Sequence, residues 1–138
     1  MSAGTVNSNR AAEPVGAYAH ARRVGNLLFL AGVGPRKRGE RVIPGVKQDA
    51  AGNVVSYEIE PQVRQCFENV RLILEEAGSS WERIVDVTVY LTDMKRDFAT
   101  YNAVWAEFFA ANPPARTTVE VRALPTAINF EVKVVATV

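Results

Sequence analysis

The chain offers few of the side chains that enzymes most often use for chemistry. Its 138 residues include one histidine, His20, and one cysteine, Cys66. One histidine excludes the usual two- and three-histidine metal sites within a single chain, and one cysteine excludes an intrachain disulfide framework and cysteine-rich zinc sites. Any chemistry must therefore use other groups.

Arg116 is the first such group. It directly follows the rigid segment Pro113-Pro114-Ala115 and begins a predicted strand, so its neighbours restrict its position. A guanidinium group is a planar fork of donors that matches the geometry of a carboxylate. The position and the residue type together indicate a side chain suited to binding a carboxylate.

Asn102 is the second group, because it interrupts an apolar stripe. It lies four residues after Phe98 and three before Trp105 on a helix predicted over residues 98–111, with Asp97 as its cap. A buried amide costs on the order of 1–3 kcal/mol unless it is hydrogen-bonded. Asn102 therefore either ties a neighbouring loop or faces a pocket at the sheet edge, and both interpretations stay open.

The elements that must position these groups follow from periodicity. Pro61 opens a helix that Gly78 ends, and the apolar residues between them recur at helical spacing. Strands are predicted over residues 18–23, 27–31, 84–91, 116–122 and 129–138. The loops 34–46 and 48–56 form one long connection, which in small domains is often functional. The order β-β-α-β-α-β-β predicts a single α+β domain, in which two amphipathic helices cover one face of a mixed sheet.

The last two strands have faces of different character. In the first of them, Thr117, Val119 and Val121 are predicted to pack beneath the helices, and the opposite face carries Arg116, Thr118, Glu120 and Arg122. In the final strand Phe130, Val132, Val134 and Ala136 form an apolar face opposite Glu131 and Lys133. The polar face is either solvated, as is common in antiparallel sheets, or packed against sister subunits.

Composition excludes several classes of partner. The formal net charge is +1, which gives no electrostatic case for binding nucleic acid. No apolar run approaches the roughly 20 residues that a membrane helix needs. Residues 1–14 are small and polar and do not have the pattern of a signal peptide. We therefore expect a flexible N-terminal tail over residues 1–14, a domain over residues 15–138 and a cytoplasmic location.

Several short segments together resemble the RidA (YjgF/YER057c) family of imine/enamine deaminases. They are D-F-A-T-Y-N at 97–102, P-A-R-T-T-V at 114–119, Leu124-Pro125 and F-E-V at 130–132, with Gly16-Ala17-Tyr18 and Leu30-Ala31-Gly32 near the front. The resemblance covers nearly the whole chain after the tail. It implies a chorismate-mutase-like fold, assembled as a homotrimer around a central barrel with active sites at subunit interfaces.

The resemblance also implies a reaction and the residues that perform it. Family members hydrolyse a 2-imino acid or its enamine tautomer to a 2-oxo acid and ammonia, without metal or organic cofactor. Arg116 would bind the substrate carboxylate and Glu131 would orient the attacking water. Tyr18 and Asn102 match pocket residues, as do Gly32, Ala31, where Ser is common, and Thr118, where many members have Cys.

A narrower resemblance is to the 2-aminomuconate deaminase branch. Residues 45–46, 49–53 and 59–64 form a longer insertion than ordinary members have, and that branch also carries P-A-R-T-T-V and a histidine at the position of His20. It implies conversion of 2-aminomuconate to 4-oxalocrotonate and ammonia during degradation of aromatic compounds. The alternatives are a broad 2-iminobutanoate/2-iminopropanoate deaminase that protects pyridoxal-phosphate enzymes, and a non-catalytic trimeric ligand-binding module.

Since 2-aminomuconate is a dicarboxylate, the narrower resemblance implies a second anion contact. His20 alternates with Tyr18 along the same predicted strand, so both side chains would point the same way. His20 could contact the ligand, act as an acid or base, or be a surface residue, and the basic loop 36–38 could simply be solvated. The candidates for the contact are His20, Arg22, Arg36, Lys37 and Arg38.

Overall fold

The computed structural model describes residues 4–138 as a six-stranded mixed sheet, a two-stranded hairpin and two α-helices. The strands are β1 (Thr5–Val6), β2 (Ala21–Val24), β3 (Leu27–Leu30), β4 (Val46–Gln48), β5 (Val54–Tyr57), β6 (Ile84–Leu91), β7 (Ala115–Glu120) and β8 (Phe130–Thr137). The helices are α1 (Ile59–Glu76) and α2 (Met94–Phe109), and a 3-10 turn spans Trp81–Arg83. The predicted α+β class and strand–helix order are confirmed.

The large sheet has the order β1-β2-β3-β8-β6-β7, in which only β6 and β7 run parallel among the described strands. A parallel pair needs a crossover, and α2 supplies it. Both helices cover the same face. The side chains of Phe130, Val132, Val134 and Ala136 are buried on that face, as predicted.

Helix α1 begins two residues before Pro61, which therefore lies in its first turn, where no intrahelical N–H bond is lost. Its end is as predicted. Gly78 has φ 81°, and the Ser79 N–H donates to the Leu74 carbonyl at 2.8 Å, so the chain leaves the helix through a left-handed glycine.

Helix α2 begins earlier than predicted. Asp93, not Asp97, is its cap, because the Asp93 side chain accepts a hydrogen bond from the Arg96 N–H at 3.1 Å. Asp97 lies inside the helix and is 2% exposed. Its partner is Tyr57, whose hydroxyl donates to Asp97 Oδ2 at 2.7 Å. Because this partner is 40 residues away, local sequence could not reveal it.

The predicted long connection contains the hairpin β4–β5, which is fastened to α2. The Arg96 guanidinium stacks over the Tyr57 ring at 3.7 Å and also donates to the Tyr57 carbonyl. Burial beside Asp97 raises the pKa of Tyr57 to about 12. The tip of the hairpin is self-contained, since Asp49 Oδ1 accepts from the Ala51 and Asn53 N–H groups at 2.9 Å each.

No helix in the described part of the chain is long and apolar enough to cross a membrane.

Strand β7 has the opposite orientation to the predicted one. Arg116 and Thr118 pair with Val87 and Val89 of β6, whose side chains are buried under the helices. Arg116 and Thr118 therefore lie on the helix side, and Thr117 and Val119 face away. A shift of one residue exchanges the two faces of a strand, and this strand carries Thr or Val on both.

Candidate active site

A cleft beside β3 and β8 brings together five of the predicted site residues. Its empty volume is about 590 Å³, including its open mouth. The predicted residues that line it are Tyr18, His20, Ala31, Gly32 and Glu131. Arg36, the buried Asn69 and residues 11–15 line it as well.

Glu13 and Glu131 both line this cleft, and Glu131 is the one for which a catalytic role is predicted. Within residues 4–138 its carboxylate has neither a hydrogen bond nor an ion pair, and burial raises its pKa above the ordinary value of 4.5. Gly32 lies directly against it: a Cβ at Gly32 would be 3.1 Å from both Cδ and Oε2 of Glu131. Glycine at this position therefore leaves the space that the carboxylate occupies. A carboxylate in this environment is suited to accept a proton from water.

The start of β8 is held by the amides of the buried Gln62 and the half-buried Asn129, which sequence reasoning did not identify. Gln62 is 0% exposed; its Nε2 donates to Asn129 Oδ1 at 3.0 Å and its Oε1 accepts from the Asn129 N–H at 2.8 Å. Asn129 Nδ2 in turn donates to Thr92 Oγ1 at 2.9 Å. These bonds fix Asn129, which directly precedes β8 and lies two residues before Glu131. A polar residue among the apolar positions of α1 was the available signal.

Arg116 belongs to a second cluster, on α2 and β7. Its Nη1 donates to Asn102 Oδ1 at 2.8 Å, and its guanidinium carbon lies 4.9 Å from the Trp105 ring centre and 5.3 Å from that of Tyr101. Thr118 shares a 2.7 Å hydrogen bond with the Tyr101 hydroxyl. Asn102 was expected to be a buried amide in need of a hydrogen-bond partner, but it is exposed. Its side chain instead orients Arg116.

Within one chain the two clusters lie on opposite sides of the sheet. Arg116 pairs with Val87 of β6, whereas Glu131 pairs with Tyr90 of the same strand. Positions three residues apart on a strand point to opposite faces. The Arg116 side chain therefore lies on the sheet face that the helices cover, and the Glu131 side chain projects from the opposite, uncovered face. The structure does not assemble the predicted pair within a single chain.

Both ring nitrogens of His20 have hydrogen-bond partners, which favours a structural role among the interpretations left open for it. It is 7% exposed; its Nδ1 accepts from the Ser8 N–H at 2.9 Å, and its Nε2 donates to the Ala12 carbonyl at 2.8 Å. Neither ring nitrogen is left for a substrate. Tyr18 precedes β2 instead of lying on it, and its hydroxyl accepts from the Val15 N–H at 3.2 Å.

The described part of the predicted tail packs against the domain. Val6 pairs with Ala21, Ala11 is buried, and the Ser8 hydroxyl donates to Glu76 Oε1 at 2.8 Å. Residues 11–15 form one wall of the cleft. The expectation of a flexible tail up to residue 14 is therefore wrong for residues 4–14. The sequence did not indicate this packing, because the partners His20 and Glu76 are distant in sequence. Residues 1–3 lie outside the described residues.

Cys66 has a structural role and no metal cluster is found among residues 4–138. Cys66 is a core residue, as predicted, with its thiol donating to the Val33 carbonyl at 3.1 Å and its pKa raised by burial. Among residues 4–138, no three His, Cys, Asp or Glu side chains gather where they could hold a metal ion.

Comparison with known proteins gives consistent relatives. The family described as Endoribonuclease L-PSP matches residues 8–138. A RutC family protein of Pyrococcus horikoshii is 40% identical over 129 residues, covering 94% of this chain and 93% of that protein. Reactive Intermediate Deaminase A, chloroplastic, of Arabidopsis thaliana is 34% identical over 132 residues, covering 96% of this chain and 64% of that protein.

Solved structures agree with these relatives. The YjgF gene product of E. coli has a TM-score of 0.81 at 31% identity, covering 96% of this chain and 97% of that one. E. coli TdcF, solved with bound serine, has a TM-score of 0.83 at 29% identity, covering 97% and 98%. The fold is therefore that of the YjgF and L-PSP proteins.

Proposed function

Since the chain belongs to the family described as Endoribonuclease L-PSP, we propose that it is a cofactor-independent hydrolytic deaminase of imines and their enamine tautomers. The observation that carries the proposal is the half-buried, unpartnered Glu131 carboxylate against Gly32 in the cleft. A relative named as a reactive intermediate deaminase and a structural neighbour holding serine, an amino acid, support the same chemistry.

Each step of the reaction has a group to perform it. Arg116, oriented by Asn102, binds the substrate carboxylate and places the adjacent C=N bond. Glu131 takes a proton from a water that attacks the imine carbon and passes it to the imine nitrogen, so that a neutral carbinolamine forms. Glu131 then transfers the proton of the carbinolamine hydroxyl to the amino nitrogen, the C–N bond breaks as the C=O bond forms, and ammonia and a 2-oxo acid are released. A raised pKa suits a carboxyl that both accepts and returns a proton.

Because Arg116 and Glu131 lie on opposite sides of the sheet, we propose that the complete site forms between copies of the chain. The open sheet face carries exposed apolar side chains, including Leu27 and Phe29, which a second copy would cover. A homotrimer around a central barrel would place Arg116 of one copy at the cleft of the next.

Subunit mixing tests the shared site. Arg116→Ala and Glu131→Gln chains are each expected to be inactive, but co-refolding equal amounts should restore activity in about a quarter of the sites, since half the copies offer each intact residue. The control is each variant refolded alone. Absence of recovery in mixed oligomers of confirmed composition would show that the two residues do not act across an interface.

The substrate that we propose is 2-aminomuconate, converted in the cytoplasm to 4-oxalocrotonate and ammonia during aromatic-compound degradation. Three features favour this substrate over small imino acids. They are the long insertion around β4–β5, the lack of a side-chain hydroxyl at Ala31, and the lack of a thiol at Thr118. The second candidate is a broad 2-iminobutanoate/2-iminopropanoate deaminase. Comparing ammonia release from freshly generated 2-aminomuconate and from 2-iminopropanoate separates the two.

Two other classes receive less support. A non-catalytic binding module would retain ligands but release no ammonia from any imine, and the unpaired Glu131 carboxylate argues against it. The family description names an endoribonuclease, but a net charge of +1 offers little attraction for a phosphate backbone. We therefore propose no nucleic-acid partner and no membrane partner.

A further inference from the structure

A second cleft continues from the first, and the two share Arg36 and Thr126. The second is also lined by Arg41 of the following loop and by Gln48 and Asn53 of the hairpin β4–β5. We infer that Arg36, assisted by Arg41, binds a second anionic group of the substrate, a carboxylate distal to the imine. This inference rests on the proposed function and assigns the same site a preference for dicarboxylates.

Arg36 is held in place from two directions. Asn69, which is 2% exposed, donates through Nδ2 to the Arg36 carbonyl at 2.7 Å and to the Gly34 carbonyl at 2.9 Å. The Arg36 Nη2 donates to the Glu13 carbonyl at 2.6 Å. Within the described residues, Nε and Nη1 of Arg36 are left without a hydrogen bond. The guanidinium is therefore fixed in orientation while part of its donor fork remains open to a ligand.

The neighbouring cations do not offer the same geometry. Arg38 donates from Nε to the Ala11 carbonyl and from Nη2 to the Ser8 carbonyl, at 2.9 and 2.8 Å, so it holds the N-terminal segment. Lys37 is exposed and, in the part of the chain that the structure describes, lines neither cleft.

The other walls of the second cleft support an anion at this place. Arg41 makes no hydrogen bond or ion pair within the described residues, so its guanidinium remains available. One carboxylate, that of Glu40, also lines the cleft, against two guanidinium groups. A second carboxylate, that of Glu13 in the first cleft, lies near Arg36 and accepts a hydrogen bond from the Gly39 N–H at 3.2 Å. Thr126 has φ 64°, the one positive φ of a non-glycine residue in the described chain, at the point where the clefts meet. Such strain in a β-branched residue is typical of functional segments.

Binding of a matched pair of 2-oxo acids tests the inference. 2-Oxoadipate and 2-oxohexanoate have the same chain length, and only the former carries a distal carboxylate. By isothermal titration the wild type should bind 2-oxoadipate about tenfold more tightly, the scale of a hydrogen bond to a charged group. Arg36→Gln should reduce this preference to within about twofold, whereas Lys37→Gln on the same loop should leave it unchanged.

Arg36 also contacts the Glu13 carbonyl, so a second variant separates binding from folding. Arg41→Gln leaves that contact intact and should weaken 2-oxoadipate about threefold or more without affecting 2-oxohexanoate. An equal affinity of the wild type for both acids overturns the inference, as does an unchanged preference in a folded Arg36→Gln variant.

The subsite and the proposed function can fail separately. Turnover of monocarboxylate imines together with no preference for 2-oxoadipate would remove the subsite and leave the deaminase. A preference lost in Arg36→Gln, with no ammonia released from any imine, would keep the subsite and remove the deaminase.

Discussion

Replacing Gly32 with alanine should lower turnover without lowering stability. The added Cβ would lie 3.1 Å from Cδ and Oε2 of Glu131 and 3.3 Å from Oε1. Carbon contacts are favourable at about 3.5 Å or more, so the carboxylate must move by about 0.4 Å. A misplacement of about 1 Å can lower a rate about 100-fold. A displacement of about 0.4 Å should therefore lower kcat, measured as ammonia release, by about five- to tenfold.

The stability of the same variant should increase or stay unchanged. Gly32 does not have a positive φ, so alanine fits its backbone, and such a replacement stabilises by about 0.4–1 kcal/mol through the unfolded chain. Thermal unfolding checks this expectation. A loss of activity accompanied by a lower Tm would instead indicate general damage.

A double-mutant cycle shows whether the effect passes through Glu131. Once Glu131 is replaced by glutamine, adding Gly32→Ala should produce no further loss of kcat, because the displaced group no longer catalyses. Independent losses that multiply would refute the reasoning, and so would a Gly32→Ala variant with the kcat of the wild type.

Three further predictions concern the groups around these clusters. Glu131→Gln should raise Tm at neutral pH, because the raised pKa means that the ionised form destabilises the native state; the gain over wild type should vanish as pH falls through that raised pKa toward 4.5, in calorimetric scans at several pH values. Arg116→Lys should raise KM for the carboxylate substrate about tenfold or more, because the two-pronged fork is lost, and Asn102→Ala should have a smaller effect on the same measurement. Gln62→Leu should lower the free energy of unfolding in urea by about 1–3 kcal/mol, because it removes the hydrogen-bond partner of both the Asn129 Oδ1 and the Asn129 backbone N–H.

The predictable parts of the fold are those with strong local patterns. Strand β6 occupies the predicted residues 84–91 because that segment is dense in Val and Ile, and the alternation in β8 correctly predicted its buried face. Gly78 ended α1 as expected because a left-handed position there favours glycine. Helix order and sheet coverage followed from these signals.

The parts that could not be predicted depend on distant partners. The face of β7 is set by its register with β6, which residues 115–120 alone do not encode. The role of His20 depends on its hydrogen bonds to Ser8 and Ala12, which lie 12 and 8 residues away in sequence. The location of Glu131 in a cleft could be anticipated, but the separation of Arg116 onto the other side of the sheet could not.

The hairpin β4–β5 places the residues proposed for substrate recognition on a segment apart from the carboxylate proposed for catalysis. Tyr57 and Asp97 fasten its base, and the Asp49 side chain closes its tip, so changes in the length or sequence of the tip need not disturb the core. The same tip region supplies Gln48 and Asn53 to the second cleft. Insertions and deletions there can reshape recognition while Glu131 and Gly32 are retained, which makes this hairpin the natural segment to exchange when new substrates are sought.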